Sequence, residues 1–152
     1  MAYKEKQSLI TIMIYILGIG SYLGYVLTRD PEQYNDSKFW ASTMLIFIGI
    51  LIVMTIVILI AFHIAYEVVY TVKKEKEQID DVVDEMEKLI SLKSIRNGGI
   101  VSSVTILFAP VLVLFDVSLI WVLNVVYIGF FVAAIFEECS KLYFYRRGIR
   151  NG

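Results

Sequence analysis

Residues 39–66 read FWASTMLIFIGILIVMTIVILIAFHIAY, a stretch without a single aspartate, glutamate, lysine or arginine. A helix needs about 20 apolar residues to cross a bilayer, so this stretch is long enough to span a membrane. Three more uncharged runs occupy residues 7–28, 97–115 and 117–136. Hydrophobic residues make up 58% of the chain, above the ~45–50% of soluble domains. The pattern predicts an all-α, integral membrane bundle of four transmembrane helices.

The chain is predicted to form a single membrane domain over residues 1–152, with spans at about 8–27, 40–66, 99–115 and 118–136. The first uncharged run is longer than the ~7–15 apolar residues of a signal peptide, and no small-x-small cleavage pattern follows it, so we expect a retained span. Asp30-Pro31 and Asn35-Asp36 predict a short turn between spans one and two. Asp116-Val117-Ser118 predicts a tight helical hairpin between spans three and four.

The distribution of basic residues predicts the orientation. Four spans place both termini and the middle loop on one side of the membrane, and that side carries 12 of the 14 lysines and arginines. Only Arg29 and Lys38 lie on the other side. Loops in the cytoplasm carry an excess of lysine and arginine. We therefore expect a multi-pass protein of the bacterial cytoplasmic (inner) membrane, with its N- and C-termini inside.

Ionisable side chains near the inner ends of spans two and four give the sharpest chemical hypothesis. His63 and Glu67 are four residues apart and share a helix face. Glu137 and Glu138 lie at a similar depth, beside the single cysteine, Cys139. Imidazole, carboxylate and thiolate could together ligate a metal such as zinc, or relay protons. The alternative is that they mark the helix ends where water begins, so metal binding stays open, and no other cofactor is predicted.

Gly20 and Gly24 form a G-x-x-x-G motif in the first span. Small residues at this spacing let two helix backbones approach closely in a membrane. We expect another span of the same chain to pack there. Self-association into a homo-oligomer is the alternative.

Residues 72–96 predict an amphipathic cytoplasmic helix between spans two and three. Apolar residues recur there at three-to-four spacing opposite an acidic face. The candidate partner-binding positions are Ile79, Val82, Val83, Met86, Leu89 and Ile90. Asn97-Gly98-Gly99 predicts the end of this helix, and span three would begin directly afterwards. We expect the helix to bend near Lys73–Lys76 and return along the membrane surface, with its apolar stripe covered by lipid head groups, a second copy or a partner protein.

Residues 84–97 read DEMEKLISLKSIRN, which resembles a juxtamembrane signature, DExxxLIxxKxxR. The signature occurs in a family of small four-span bacterial and archaeal membrane proteins of unknown function. The matching residues are Asp84, Glu85, Leu89, Ile90, Lys93 and Arg96. The resemblance implies the same span layout and no established activity. Genes of that family often lie beside small helix-turn-helix regulators, which implies a link to regulation.

Other chemistry finds little support in the sequence. No phosphate-binding glycine loop lies outside a span, and His63, on span two, is the single histidine that could serve a nucleophilic serine. Nucleic-acid binding is not expected, because the largest cytoplasmic segment is acidic. The expected partners are the lipid bilayer, a cytoplasmic protein and a second copy of the chain.

The sequence therefore favours a non-enzymatic interaction or regulatory module that acts through its cytoplasmic helix. The first alternative is a small transporter or oligomeric channel that uses the His/Glu cluster. The second alternative is a metal-dependent membrane enzyme.

Overall fold

The computed structural model describes residues 3–28, 36–73 and 81–148, with side chains described for 3–28, 36–69 and 85–148. These residues form four helices, which are α1 (Tyr3–Leu27), α2 (Ser37–Lys73), α3 (Asp81–Leu114) and α4 (Leu119–Arg147). The described part of the chain contains no strand, so the all-α prediction is confirmed. Each of the four helices is long and apolar enough to cross a membrane.

Helix α4 occupies the centre of the packing. Helix α3 packs along α4, α1 packs on another part of α4, and α2 lies against α1 and an edge of α4. The N-termini of α1 and α3 meet the C-termini of α2 and α4 at one end of the bundle. Tyr3 contacts His63 there, and Lys4 contacts Glu87. We call this end, which holds the start of α1 and the end of α4, the terminal end.

The apolar core lies towards the opposite end of the bundle. Its buried members are Tyr22, Trp40, Met44, Tyr127 and Phe131. Tyr22 is fully buried, and its hydroxyl donates to Asn124 Oδ1 at 2.6 Å. The Asn124 amide donates in turn to the carbonyl of Ile120 at 2.9 Å. This hydrogen bond joins α1 to α4. In hydrocarbon, no water is present to replace it as a partner for the Tyr22 hydroxyl or for Asn124 Oδ1.

The predicted hairpin between the third and fourth helices is confirmed. Asp116 has a positive φ of 56°, which reverses the chain directly after α3. The Asp116 N–H donates to the carbonyl of Val113, and the Val117 N–H donates to that of Leu112, each at 3.1 Å. This pair of bonds is the Schellman arrangement, which satisfies the last carbonyls of a helix. The turn holds α3 and α4 side by side.

The predicted helix end at Asn97-Gly98-Gly99 is wrong, because α3 continues through it without interruption. Gly98 is buried against α4, and a Cβ there would lie 2.9 Å from Glu137 Cβ and 3.2 Å from the Ala133 carbonyl oxygen. The close approach offsets the ~1 kcal/mol that glycine costs inside a helix. Residues 85–96 are therefore the first turns of α3 rather than a separate connector. The expected bend near Lys73–Lys76 falls almost entirely outside the described residues.

The expected packing of Gly20 and Gly24 against another helix of the chain is also wrong for the residues described. A Cβ at either position would meet nothing within 4 Å. The buried residues of α1 are Ser8, Thr11, Ile14 and Tyr22. At about 100° per residue, positions 20 and 24 point about 160° away from Tyr22. Among the described residues, no other helix approaches this motif.

The close helix approach lies instead between α3 and α4. Gly98 faces Ala133 and Glu137, and a Cβ at Gly129 would lie 2.6 Å from Thr105 Oγ1. Ser94, one turn before Gly98, is fully buried. Both helices thus carry small residues at four-residue spacing, Ser94 with Gly98 and Gly129 with Ala133. This seam holds the middle parts of α3 and α4 at short distance.

Candidate functional site

His63 lies exposed on α2 and contacts the first turn of α1. Its Nδ1 is 2.9 Å from the Tyr3 hydroxyl oxygen. The Tyr3 ring stacks on Phe62 with centroids 5.4 Å apart and tilts against Tyr66 at 4.6 Å. Glu67 lies one turn further along α2 and is also exposed. The histidine is therefore part of an aromatic contact that joins α1 to α2.

Glu137 and Glu138 bind a lysine of their own helix. Lys141 Nζ lies 2.8 Å from Glu137 Oε1 and 2.7 Å from Glu138 Oε1. All three side chains are partly buried. Glu137 also packs where Gly98 opens space on α3. Lys141 thus forms one cluster with the two carboxylates on α4.

The expected convergence of His63, Glu67 and Glu137 is not met. Among the described residues, no group of three or more histidine, cysteine, aspartate or glutamate side chains is arranged to hold a metal ion. The depths of these residues agree, but their helix faces differ, because His63 turns to Tyr3 whereas Glu137 turns to Lys141. Cys139 is free and exposed.

The terminal end instead contains a polar cavity of about 410 Å³. All four helices contribute to its wall. The lining residues are Lys4, Gln7, Ser8, Thr11, Tyr15, Thr55, Leu59, Glu87, Lys88, Ser91, Glu138, Lys141 and Tyr145. The volume falls in the range of about 300–1,000 Å³ that is usual for small-molecule sites.

Charged side chains line the end of the cavity nearest the helix termini, which we call its mouth. Lys4 of α1 lies 3.5 Å from Glu87 of α3, which is longer than the ~2.7–2.9 Å of a strong charge-assisted hydrogen bond. Lys141 binds Glu138 on α4 at 2.7 Å. Lys88 adds a third ammonium group from α3. The lining thus carries three lysines and two glutamates, and Glu137, just outside the lining, also binds Lys141.

Hydroxyl groups line the deeper part of the cavity. Ser8 and Thr11 are buried on α1, and Thr11 donates to the carbonyl of Gln7 at 3.1 Å. Thr55 Oγ1 on α2 is buried and has no hydrogen-bond partner among the described residues. From Lys4 to Tyr15 the cavity follows about 16 Å of helix. Polar groups therefore extend well into a segment that is otherwise apolar.

Sequence reasoning missed this cavity, although α1 carries a signal for it. Lys4, Ser8, Thr11 and Tyr15 recur at three-to-four spacing, which places them along one face of a membrane helix. Polar residues in a span usually face the interior of the protein or a cavity. The contribution of α3 could not be found, because the segment around Ser91 was assigned to a separate helix.

The predicted partner-binding stripe divides in the structure. Ile90 is fully buried, so it is not available to a partner, whereas Met86 and Leu89 are 42% and 48% exposed. Ile79 lies outside the described residues, and so do the side chains of Val82 and Val83. Leu92 and Ile95 continue the exposed line at 64% and 51%. We call Met86, Leu89, Leu92 and Ile95 the α3 apolar row.

Comparison of the chain with family models, with curated proteins and with solved structures gave no significant match. Functional inference therefore rests on the residues and their geometry.

Proposed function

We propose that the protein is a non-enzymatic, multi-pass protein of the cytoplasmic membrane that acts as an interaction or regulatory module. In this proposal, both termini lie in the cytoplasm, and the first turns of α3 bind a soluble cytoplasmic protein. The resemblance of residues 84–97 to the small four-span family agrees with a regulatory role.

The observation that carries the proposal is the α3 apolar row on a helix that is too long for the bilayer. The 34 residues of α3 measure about 51 Å, against about 30 Å of hydrocarbon. The part of α3 before Asn97 carries charged residues, such as Glu85 and Lys93. This part is therefore the one expected to extend beyond the hydrocarbon. Four exposed apolar side chains on such a segment favour contact with another molecule.

The charge distribution supports the orientation. The terminal end holds Lys4, Lys88 and Lys141 together with the basic end of α4, Arg146 and Arg147. The positive-inside rule places this end in the cytoplasm. A cytoplasmic protein would then reach the α3 apolar row without crossing the membrane.

A photo-crosslinking amino acid at Leu92, in the full-length protein in its native membrane, tests the proposal. We expect a defined protein adduct from Leu92 and none from Leu107, which is equally exposed on the uncharged part of α3. Leu89→Glu should abolish the adduct, since a carboxylate would enter an apolar contact. It should leave thermal stability unchanged, because Leu89 is exposed. Lipid adducts alone from both positions would contradict the proposal.

A small transporter or oligomeric channel is the second candidate, and the polar cavity favours it. The test is flux of protons, Na⁺ or K⁺ into liposomes that contain the purified protein. Glu138→Gln should reduce flux, because this carboxylate lines the cavity, whereas the exposed Glu85→Gln should not. Flux equal to that of empty liposomes would dismiss this candidate.

A further inference from the structure

The polar cavity at the terminal end has a lining that the proposed protein interaction does not use. Glu87 and Ser91 line the cavity and lie about 160° around α3 from the exposed Leu89, whereas Lys88 borders both the cavity and Leu92 of the α3 apolar row. The cavity is thus a second surface of the terminal end, beside the apolar row. The chemistry of the lining decides what ligand it would bind.

The cations converge from three helices. Lys4 comes from α1, Lys88 from α3 and Lys141 from α4. Each ammonium group has three N–H donors, so Lys141 keeps one donor after binding Glu137 and Glu138. The 3.5 Å contact between Lys4 and Glu87 is long for an ion pair, so a ligand anion can draw Lys4 inward at small cost.

The hydroxyl groups add neutral donors below the lysines. Thr55 Oγ1 is buried without a partner among the described residues, and an unmet hydroxyl in such a place costs free energy. Ser91 and Ser8 line the same space. A ligand that presents several acceptor oxygens would satisfy these donors and the lysines together.

We propose that this cavity binds the phosphate group of a phosphate ester, held by Lys4, Lys88 and Lys141. The negative charge of a phosphate group suits a site where ammonium groups from three helices meet. Its oxygens accept hydrogen bonds, which matches the ammonium and hydroxyl donors of the lining. The same group is present in a phospholipid head and in a soluble phosphate ester.

The position of the cavity suits either source. The charged mouth lies at the boundary where the uncharged runs of α1 and α4 end, the depth of lipid head groups. The acyl chains of a lipid would lie along the exposed apolar surface of α2, for example Ile56 and Ile60. A soluble ester would enter the same mouth from water.

The experiment measures binding to the full-length protein, purified in a maltoside detergent that contains no phosphate. Phosphatidylglycerol and diacylglycerol are compared by native mass spectrometry, and glycerol 3-phosphate is titrated by calorimetry. We expect phosphatidylglycerol or glycerol 3-phosphate to bind, and diacylglycerol not to bind. Binding of the lipid alone identifies a head-group site, and binding of glycerol 3-phosphate identifies a site for a soluble ester.

Variants decide whether the cavity is responsible. Lys141→Gln and Lys88→Gln should each weaken binding about tenfold, the loss of one charge-assisted hydrogen bond. Lys93→Gln, on the same helix but outside the lining, should not weaken it. Lys88 is exposed, so its variant keeps the test valid if Lys141→Gln fails to fold. No binding of either phosphate compound, or equal loss in the Lys93 variant, would overturn the proposal and leave the α3 crosslinking result unaffected.

Discussion

Gly98 and Gly99 are chemically identical neighbours with different surroundings. A Cβ at Gly98 would press on Glu137 and on the Ala133 carbonyl, whereas one at Gly99 would meet nothing within 4 Å. Substitutions at these two positions can therefore measure two effects of glycine separately. One is the cost of glycine in a helix, and the other is the benefit of a close helix contact.

Gly98→Ala should destabilise the protein by about 1–2 kcal/mol, because the new methyl group forces α3 and α4 apart. Gly99→Ala should stabilise it by up to about 1 kcal/mol, because alanine loses less backbone entropy in a helix. Thermal unfolding in detergent, followed by size-exclusion fluorescence, measures both. Equal effects of the two changes would show that the α3–α4 contact at Gly98 does not exist.

The Tyr22–Asn124 hydrogen bond is the second feature at the scale of single residues. Tyr22→Phe removes the donor and leaves Asn124 Oδ1 buried without that partner, which should cost about 1–2 kcal/mol. Adding Asn124→Leu should cost less than the sum of the two single changes, because the polar atom left unpaired is then absent. Additive costs in the same unfolding assay would count against the bond.

The continuity of α3 matters most at the scale of elements. Ile90, Ser94 and Gly98 are buried on one side of α3, and Thr105 continues that side past the predicted break. If residues 85–99 were a separate helix, their face would be independent of the face of the span. In one rigid helix the two faces are locked in register.

One alanine inserted between Gly99 and Ile100 should therefore be strongly destabilising. It would rotate the first part of α3 by about 100° relative to the second, and would withdraw Ile90 and Ser94 from α4. The same insertion after Pro31, in the predicted turn between spans one and two, should be tolerated. Similar unfolding temperatures for the two insertions would mean that a flexible joint lies at Gly99.

The uncharged runs predicted the four helices. A membrane span needs about 20 consecutive apolar residues, and such a run is visible in the sequence without knowledge of the fold. The helix contacts were harder to predict. Gly20 and Gly24 form the G-x-x-x-G motif, yet the close helix contacts are at Gly98 and Gly129. The sequence of a helix does not say which other helix it faces. The four-residue spacings Ser94–Gly98 and Gly129–Ala133 also indicate helix packing. The prediction of a helix end at Gly98 did not take this spacing into account.

The same reason limited prediction of the site. Positions near the inner ends of spans two and four gave His63 and Glu137 a similar depth, but a count along the chain does not give the direction in which each side chain points. The polar face of α1 was readable, but its partners on α3 and α4 depend on how four helices are arranged.

In the whole molecule, α3 packs on α4, α4 packs on α1, and α1 packs on α2. Consecutive helices α2 and α3 are not extensively packed in the described residues, and most of α2 is exposed, including Leu45, Ile52 and Ile60. Lipid or a second copy would cover that surface in a membrane. Helices α1, α3 and α4 therefore pack together more extensively than α2 packs against them.

The orientation of the whole molecule is tested by cysteine labelling with a membrane-impermeant maleimide, in a Cys139→Ser background. Tyr34→Cys should be labelled in intact spheroplasts, because the proposed orientation puts the predicted turn between spans one and two outside the cytoplasm. Glu85→Cys, an exposed position, should be labelled only after the membrane is permeabilised. Labelling of position 34 from the cytoplasmic side alone would reverse the topology.

The bond between Tyr22 and Asn124 joins residues 102 positions apart, and this separation affects biosynthesis. A ribosome that adds about 5–20 residues per second completes Asn124 several seconds after Tyr22. During that interval α1 is already made, but α4, its main packing partner, is not. The Tyr22 hydroxyl then has no access to the Asn124 oxygen that it binds in the folded protein. The hydrogen bond that joins α1 to α4 is thus among the last contacts of the fold to form.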